Sequence, residues 1–488
     1  MRWSLLGTGF QQGLRILVSL VLASFFLAPA DFGLMAMAYL VIGFLESLQS
    51  LGTVEAIVQR KSVSDSMLSS VFHLHLFVGG GLFVVAFAGA GIAGRLLADP
   101  DVVWVLRVLG LSLGLGALGF VPRAILMRAM QFDRIALATI LSAVVHAAVA
   151  LVCGALGAGV WSLVAGHLAG AAATNLTLWV ASGWRPRAHF AASDLRVIAK
   201  FSRNLSALTV FSYWTKRLDH LVIARFLGAG SLGLYGMAQR VTLGAVGPVQ
   251  WAIDPVLFTH MSSLQEEKER MREAWVRTTA ATAVVLVPAM ALLGVIAGPL
   301  VLVLLGEEWR PIVPLVMILA AVGVLNTLMG RLGPIYRAMG RTDLQLWWGV
   351  ASGIVVALSY IIGLRWGVVG VTAAFAVGRL LIAPIALRIP FRLIGLRFGQ
   401  VATALAPCMV STAGLVAASI ATRLALEQLA ASPMLVLLGA AAAGGLTYLV
   451  VIRTLWPTVV DDLLRAVRLR AEGDAGQDQD LERRFEAE

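Results

Sequence analysis

Five cationic side chains sit inside stretches apolar enough to cross a bilayer: Arg15, Lys216, Arg217, Arg240 and Arg379. An ionisable group at bilayer depth costs about 2.5 kcal/mol or more, so it normally faces a water-filled cavity or a partner. Side chains of this type, gathered at one place, would bind an anion. Gln11 and Arg15 share one helical face, and Ser212, Lys216 and Asp219 share another. The acidic residues Glu46 and Asp219 can pair with these cations or hold a coupling ion. Asp219 with Lys216 or Arg217 reads equally well as a structural ion pair between helices. Arg107 lies near an outer helix end and reads as a snorkelling anchor.

Other reactive types give no site. His73 and His75 are two residues apart, which points them in different directions on a helix, whereas paired metal ligands want a spacing of four. They read as hydrogen-bonded histidines. The two cysteines, Cys153 and Cys408, fall in apolar runs and read as small buried residues. None of the four lysines follows a glycine, which removes a phosphate-binding loop of the GxxxxGK type. Asp31, beside Pro29 and Gly33, reads as a turn residue and not as a catalytic acid. No catalytic residue, metal or cofactor is expected.

The elements that position these groups are membrane helices. The chain is 59% hydrophobic and only 13% charged over 488 residues, which excludes a soluble globular class. Runs long enough to span about 30 Å as helix predict six spans in residues 1–182 and six more in 201–390. Two extra spans fall in 391–455, giving an all-α polytopic protein of about fourteen transmembrane helices. A charged linker, 183–200, joins the two sets. Residues 456–488 read as an interfacial amphipathic helix over Val459 to Arg470, followed by an acidic disordered tail.

The two sets are copies. Phe26 to Val41, FLAPADFGLMAMAYLV, recurs as Phe226 to Val241, FLGAGSLGLYGMAQRV, with seven of sixteen positions identical. Arg128, Ala129 and Met130 return as Arg337, Ala338 and Met339, and Gly159 and Val160 return as Gly367 and Val368. Six spans per copy make the repeat parallel, two six-helix lobes related by a pseudo-two-fold axis, as in secondary transporters whose site lies at the repeat interface. Arg15 then corresponds to Thr215, next to Lys216, so both copies bring positive charge to a similar depth. Lys and Arg concentrate at the N-terminus, the even-numbered loops and the tail, which predicts both termini in the cytoplasm. The net charge of +11 is thereby explained without a nucleic-acid partner.

Several segments, in order, resemble a known family. DFGLMAMA at Asp31 to Ala38, RAMQF at Arg128 to Phe132, GVWSLV at Gly159 to Val164, WRPR at Trp184 to Arg187, LD at Leu218 and Asp219, IARFLGAGSLGLYGMAQR at Ile223 to Arg240 and LGEEW at Leu305 to Trp309 carry the likeness. They resemble the polysaccharide flippase branch of the multidrug/oligosaccharidyl-lipid/polysaccharide (MOP) exporter superfamily. The resemblance implies a fourteen-helix transporter in the bacterial inner membrane. Its implied substrate is an undecaprenyl-pyrophosphate-linked oligosaccharide, moved by alternating access for lipopolysaccharide or exopolysaccharide biosynthesis. It also implies a cationic cavity, for which Arg15, Lys216, Arg217, Arg240 and Arg379 are suited, with Asp219 at the family's acidic position. The guanidinium fork fits pyrophosphate through paired donors. His220 departs from the family, where a small amide or polar residue is common. Exchange with H+ or Na+, and partner polymerase and export proteins, come with the same resemblance.

Two other readings compete. A drug or cation antiporter of the same superfamily would want acidic groups in its spans, and here cations dominate. A membrane polysaccharide ligase or polymerase would need a large outer loop, which the short predicted loops do not supply.

Overall fold

In a computed structural model, the described residues are 2–49, 53–60, 63–188, 190–244, 257–329 and 331–457. The amphipathic segment from Val459 and the acidic tail expected after it lie outside the described residues, as does the side chain of Lys216.

Helices run Arg2–Phe25 (α1), Pro29–Gln49 (α2), Thr53–Gln59 (α3), Asp65–Leu97 (α4), Val102–Leu109 (α5), Leu111–Arg128 (α6), Phe132–Ala155 (α7), Val160–Ser182 (α8) and Ala192–Leu243 (α9). They continue as Lys268–Leu305 (α10), Val313–Met329 (α11), Leu332–Ala338 (α12), Thr342–Gly363 (α13), Gly367–Ile394 (α14), Phe398–Gln428 (α15) and Pro433–Leu455 (α16). Among the described residues, eleven stretches are long and apolar enough to cross a membrane. One of them, Thr342–Ile394, contains both α13 and α14, which makes twelve and fits the expectation of about fourteen roughly.

Local backbone chemistry explains the breaks. α9 is two helices in series, interrupted at Gly228, whose φ of 81° and ψ of 178° no helix allows. Such positive φ is open to glycine at little steric penalty. The repeat shows in the backbone too: Gly159 opens α8 at φ 55° and Gly367 opens α14 at φ 68°. α2 begins at Pro29, and Asp31 in its first turn accepts a 3.0 Å hydrogen bond from the Ala28 amide. Asp31 therefore caps the helix and does not sit in the turn before it. Likewise the expected linker is extended only to Ala191, because 192–200 contains neither Gly nor Pro and continues α9 outward.

The chain forms two compact units. The first comprises Met1–Gly244, Leu304–Leu315 and Gly353–Val377; the second comprises Ala245–Val303, Val316–Ser352 and Gly378–Glu488. In the first unit α2 packs on α9, α7 on α8, α1 on α7 and α4 on α6. The α2–α9 crossing puts the two copies of the repeat in contact. A Cβ on Gly33 would lie 1.7 Å from the Ala229 carbonyl oxygen, and one on Gly233 would lie 1.8 Å from that of Pro29. Matched glycines thus let the two backbones touch, as small residues do in membrane helix pairs. Gly166 and Gly170 serve α7 and α8 in the same way, facing Ala150 and His146. Trp309, fully buried, donates its indole N–H to the Ala23 carbonyl at 2.9 Å and meets Phe32 edge-on at 5.5 Å.

In the second unit Trp275 donates to the Arg331 carbonyl at 2.9 Å and stacks edge-on against Phe391. α15 packs along α16. Arg423 joins Glu427 at 2.8 Å and reaches the Val295 carbonyl at 2.9 Å, which ties α15 to α10.

Candidate functional site: a cationic cluster in the first unit

α1 carries Arg15 ten residues before its end at Phe25, about 15 Å along the axis. α9 carries Arg240 twelve residues beyond the break at Gly228, about 18 Å along its second half. The two helices therefore bring their arginines to the same depth within a turn. Both side chains are exposed, and each lies within electrostatic reach of the other. Arg240 donates to the Ser19 hydroxyl at 3.0 Å and its guanidinium lies 5.5 Å from the centre of the Phe32 ring. Arg15 makes no hydrogen bond or ion pair among the described residues. Holding two like charges near one another in a membrane segment without a fixed counter-ion is unfavourable unless water or a mobile anion fills the space between them.

Three further groups complete this cluster. Tyr39 on α2 shares a 2.8 Å hydrogen bond with His167 Nδ1 on α8, the rings edge-on at 5.3 Å. Arg15, Glu46 and Arg240 all lie within electrostatic reach of Tyr39. His146 on α7 is within reach of Arg15 and Arg240, and His167 within reach of His146 and Arg15. Five helices thus contribute to one polar focus.

Glu46 lies seven residues beyond Tyr39 on α2, about two turns away, and its exposed carboxylate has no partner among the described residues. Arg217 is exposed and equally without a partner there. Gln11, one turn before Arg15, is half-buried. The position of Lys216 is set by α9 between Thr215 and Arg217, and its side chain lies outside what is described.

Asp219 is built differently. It is buried, and among the described residues it is paired with its neighbour His220, whose backbone amide donates to Oδ1 at 2.8 Å and whose ring Nδ1 lies 2.9 Å away. Tyr235 and Gln239, from the second half of α9, donate to Oδ2 at 3.0 and 3.1 Å. The carboxylate therefore pins the two halves of the α9 hairpin together.

Arg379 belongs to the second unit, on α14. It is half-buried and donates to the Asn326 side-chain oxygen on α11 at 2.5 Å.

The sequence pattern missed His146, His167 and Tyr39. Two mid-span histidines on consecutive helices were the available signal. The histidines that it did weigh are bonded locally: His73 to the Ser69 carbonyl at 2.7 Å, and His75 to Thr53 at 2.6 Å while stacked on Phe120. Arg107 lies 4.8 Å from the Trp104 ring and 5.0 Å from that of Phe87, an aromatic anchor. No group of three or more metal-ligating side chains occurs among the described residues.

Residues 21–314, more than half of the chain, match the family described as polysaccharide biosynthesis protein. The chain belongs to this family. The matched span includes Glu46, Lys216, Arg217, Asp219 and Arg240, while Arg15 and Arg379 lie outside it. Similar sequences include the lipopolysaccharide biosynthesis protein WzxC of Escherichia coli strain K12, 26% identical over 381 residues, which cover 77% of this chain and 76% of that one. The succinoglycan biosynthesis transport protein ExoT of Rhizobium meliloti strain 1021 is 28% identical over 352 residues, or 72% and 71% of the two chains. Among solved structures, the lipid II flippase MurJ in an inward closed conformation superposes with a TM-score of 0.73, covering 94% of this chain and 100% of MurJ at 14% identity. An inward-facing multidrug MATE transporter of the MOP superfamily gives 0.61 over 79% and 94%. The family match makes this multi-pass membrane protein a polysaccharide biosynthesis protein by family, and it shares its fold with these two transporters.

Proposed function

We propose that this chain flips an undecaprenyl-pyrophosphate-linked oligosaccharide from the cytoplasmic to the outer leaflet of the bacterial inner membrane, supplying surface polysaccharide synthesis. The observation that carries the reading is the Arg15–Arg240 pair, two guanidinium groups held at one depth with no carboxylate paired to either among the described residues. A pyrophosphate and its sugars cannot enter hydrocarbon unaided, so the protein supplies a polar path while the polyprenyl tail stays in lipid. The forked donors of Arg15 and Arg240 would take the pyrophosphate oxygens. Gln11, Lys216 and Arg217 are further substrate contacts in this scheme. The two lobes, 1–182 and 201–390, would rock to expose the headgroup to each side in turn, with both termini cytoplasmic. Glu46 is the acidic group suited to a coupling H+ or Na+, and Asp219 serves as an internal ion pair. A polymerase and export proteins would receive the flipped unit. No covalent step is needed.

The names of the similar proteins WzxC and ExoT support the glycan side of this reading, and the MurJ fold supports the lipid-linked side. The test is export in cells carrying Arg15→Ala or Arg240→Ala. Surface glycan should be lost while the protein is present at normal level and the lipid-linked unit accumulates inside. Normal surface glycan in both variants would overturn the assignment.

A further inference from the structure

Below the cationic focus, at the level of Glu46, the first unit holds three aromatic rings. Phe44 on α2 meets Trp214 on α9 at 5.1 Å between ring centres, tilted by 46°. Tyr213 stands edge-on to Trp214 at 5.7 Å and lies 6.2 Å from Phe44. Tyr213 is held from behind. Its hydroxyl donates to the spare lone pairs of the Leu40 and Tyr39 carbonyls at 2.9 and 3.1 Å. Gly43 makes room for it, since a Cβ there would come within 2.8 Å of that hydroxyl. The Tyr213 ring is therefore fixed against the α2 backbone, and Trp214 and Phe44 pack beside it.

The environment of the rings is not that of a lipid-facing belt. All three are half-buried and packed across two helices inside the unit. Glu46 and Arg217, both exposed, lie within electrostatic reach of the Tyr213 hydroxyl. The Trp214 indole N–H makes no hydrogen bond among the described residues. An indole with an apolar face and a free donor, next to a tyrosine that lies within electrostatic reach of one carboxylate and one guanidinium, matches the chemistry of a sugar. A pyranose offers apolar C–H faces to an aromatic plane and equatorial hydroxyls to charged acceptors and donors.

Tyr39, in the cationic focus, and Phe44 are five residues apart on one helix, about 8 Å along the axis and about 140° around it. Tyr213 bridges that turn, bonded to the Tyr39 carbonyl and packed near the Phe44 ring.

We propose that Phe44, Tyr213 and Trp214, with Glu46 and Arg217, form a saccharide subsite that stacks the pyrophosphate-proximal sugars. This rests on the flippase reading above and adds the part of the ligand that it left unassigned. In this arrangement Glu46 accepts from sugar hydroxyls, and the aromatic faces tolerate different glycans because stacking depends on the C–H face and not on one hydroxyl pattern.

The experiment is binding by the full-length protein in lipid nanodiscs, with two probes: undecaprenyl pyrophosphate, and undecaprenyl pyrophosphate bearing a disaccharide. Wild type should bind the glycosylated lipid at least tenfold more tightly. Trp214→Ala should lose most of that difference while binding the bare pyrophosphate lipid within about twofold of wild type, which also shows that the variant is folded. Trp214→Phe should keep much of the difference. Arg15→Ala should weaken both lipids alike. Equal affinity of Trp214→Ala and wild type for the glycosylated lipid overturns the subsite, as does an equal loss for both lipids. Failure of wild type to bind either probe overturns the flippase reading itself.

Discussion

Alanine at Gly33 would place a methyl carbon 1.7 Å from the Ala229 carbonyl oxygen, where ordinary contact begins at 3.4 Å. The obstructing atom is backbone of the first turns after Gly228, so no side chain can swing away. α2 and the second half of α9 must separate locally by roughly 1.5 Å, losing contacts that small residues had made possible. Overpacking of this kind costs about 1–3 kcal/mol. Against it stands the better helix propensity of alanine, worth about 1 kcal/mol. A backbone clash this deep belongs at the upper end of the first range, which leaves a net loss of about 1–2 kcal/mol. Gly13→Ala provides the control, because no atom lies within 4 Å of a Cβ there. It should be neutral or slightly stabilising. The assay is the thermal midpoint of the full-length protein in detergent, with size-exclusion to confirm a monodisperse sample. Gly33→Ala and Gly233→Ala should each lower the midpoint, and the double variant should fall by less than the sum, since helices already parted accept the second methyl group more easily. A Gly33→Ala protein as stable as Gly13→Ala would refute the argument that the repeated glycines form a backbone crossing.

Two stability predictions follow from hydrogen bonds in the same unit. Asp219→Asn should destabilise by about 1–3 kcal/mol, because the amide nitrogen accepts no hydrogen bond, so whichever oxygen it replaces leaves either the His220 amide or the Tyr235 and Gln239 donors without their acceptor; the midpoint in detergent reads this. Trp309→Phe keeps the ring against Phe32 but removes the bond to the Ala23 carbonyl, and should cost about 1–2 kcal/mol by the same measurement. For transport, Arg15→Lys should retain part of the export lost in Arg15→Ala if charge dominates, and as little as alanine if the planar fork is what holds the ligand. The measurement is surface glycan per unit of protein.

The solvent, the number of helices and the duplication were legible in composition and in the Phe26 and Phe226 copies, because apolar length and self-similarity are properties of the string. The reason for the duplication at Gly33 and Gly233 was not, since two matched glycines touch only once the chain has folded. Asp219 illustrates the same limit. One-turn spacing looks only along the helix, whereas two of the Asp219 partners, Tyr235 and Gln239, come from across the Gly228 break, sixteen and twenty residues on. Charge in an apolar run identified Arg15 and Arg240, whereas Tyr39, His146 and His167 carry no net-charge signal and emerge only from helix packing. The aromatic group around Trp214 was hidden for a related reason: Phe44 and Trp214 are ordinary membrane residues until α2 is laid on α9.

The central claim is that two arginines at one depth, neither paired with a carboxylate among the described residues, bind a pyrophosphate-linked glycan for transfer between leaflets. Purified protein reconstituted in liposomes with a fluorescent undecaprenyl-pyrophosphate oligosaccharide tests it most directly. The account predicts that wild type moves the labelled lipid between leaflets well above the protein-free rate, and that the Arg15→Ala, Arg240→Ala double variant falls to that background while remaining folded. A double variant that flips the lipid as fast as wild type would contradict it.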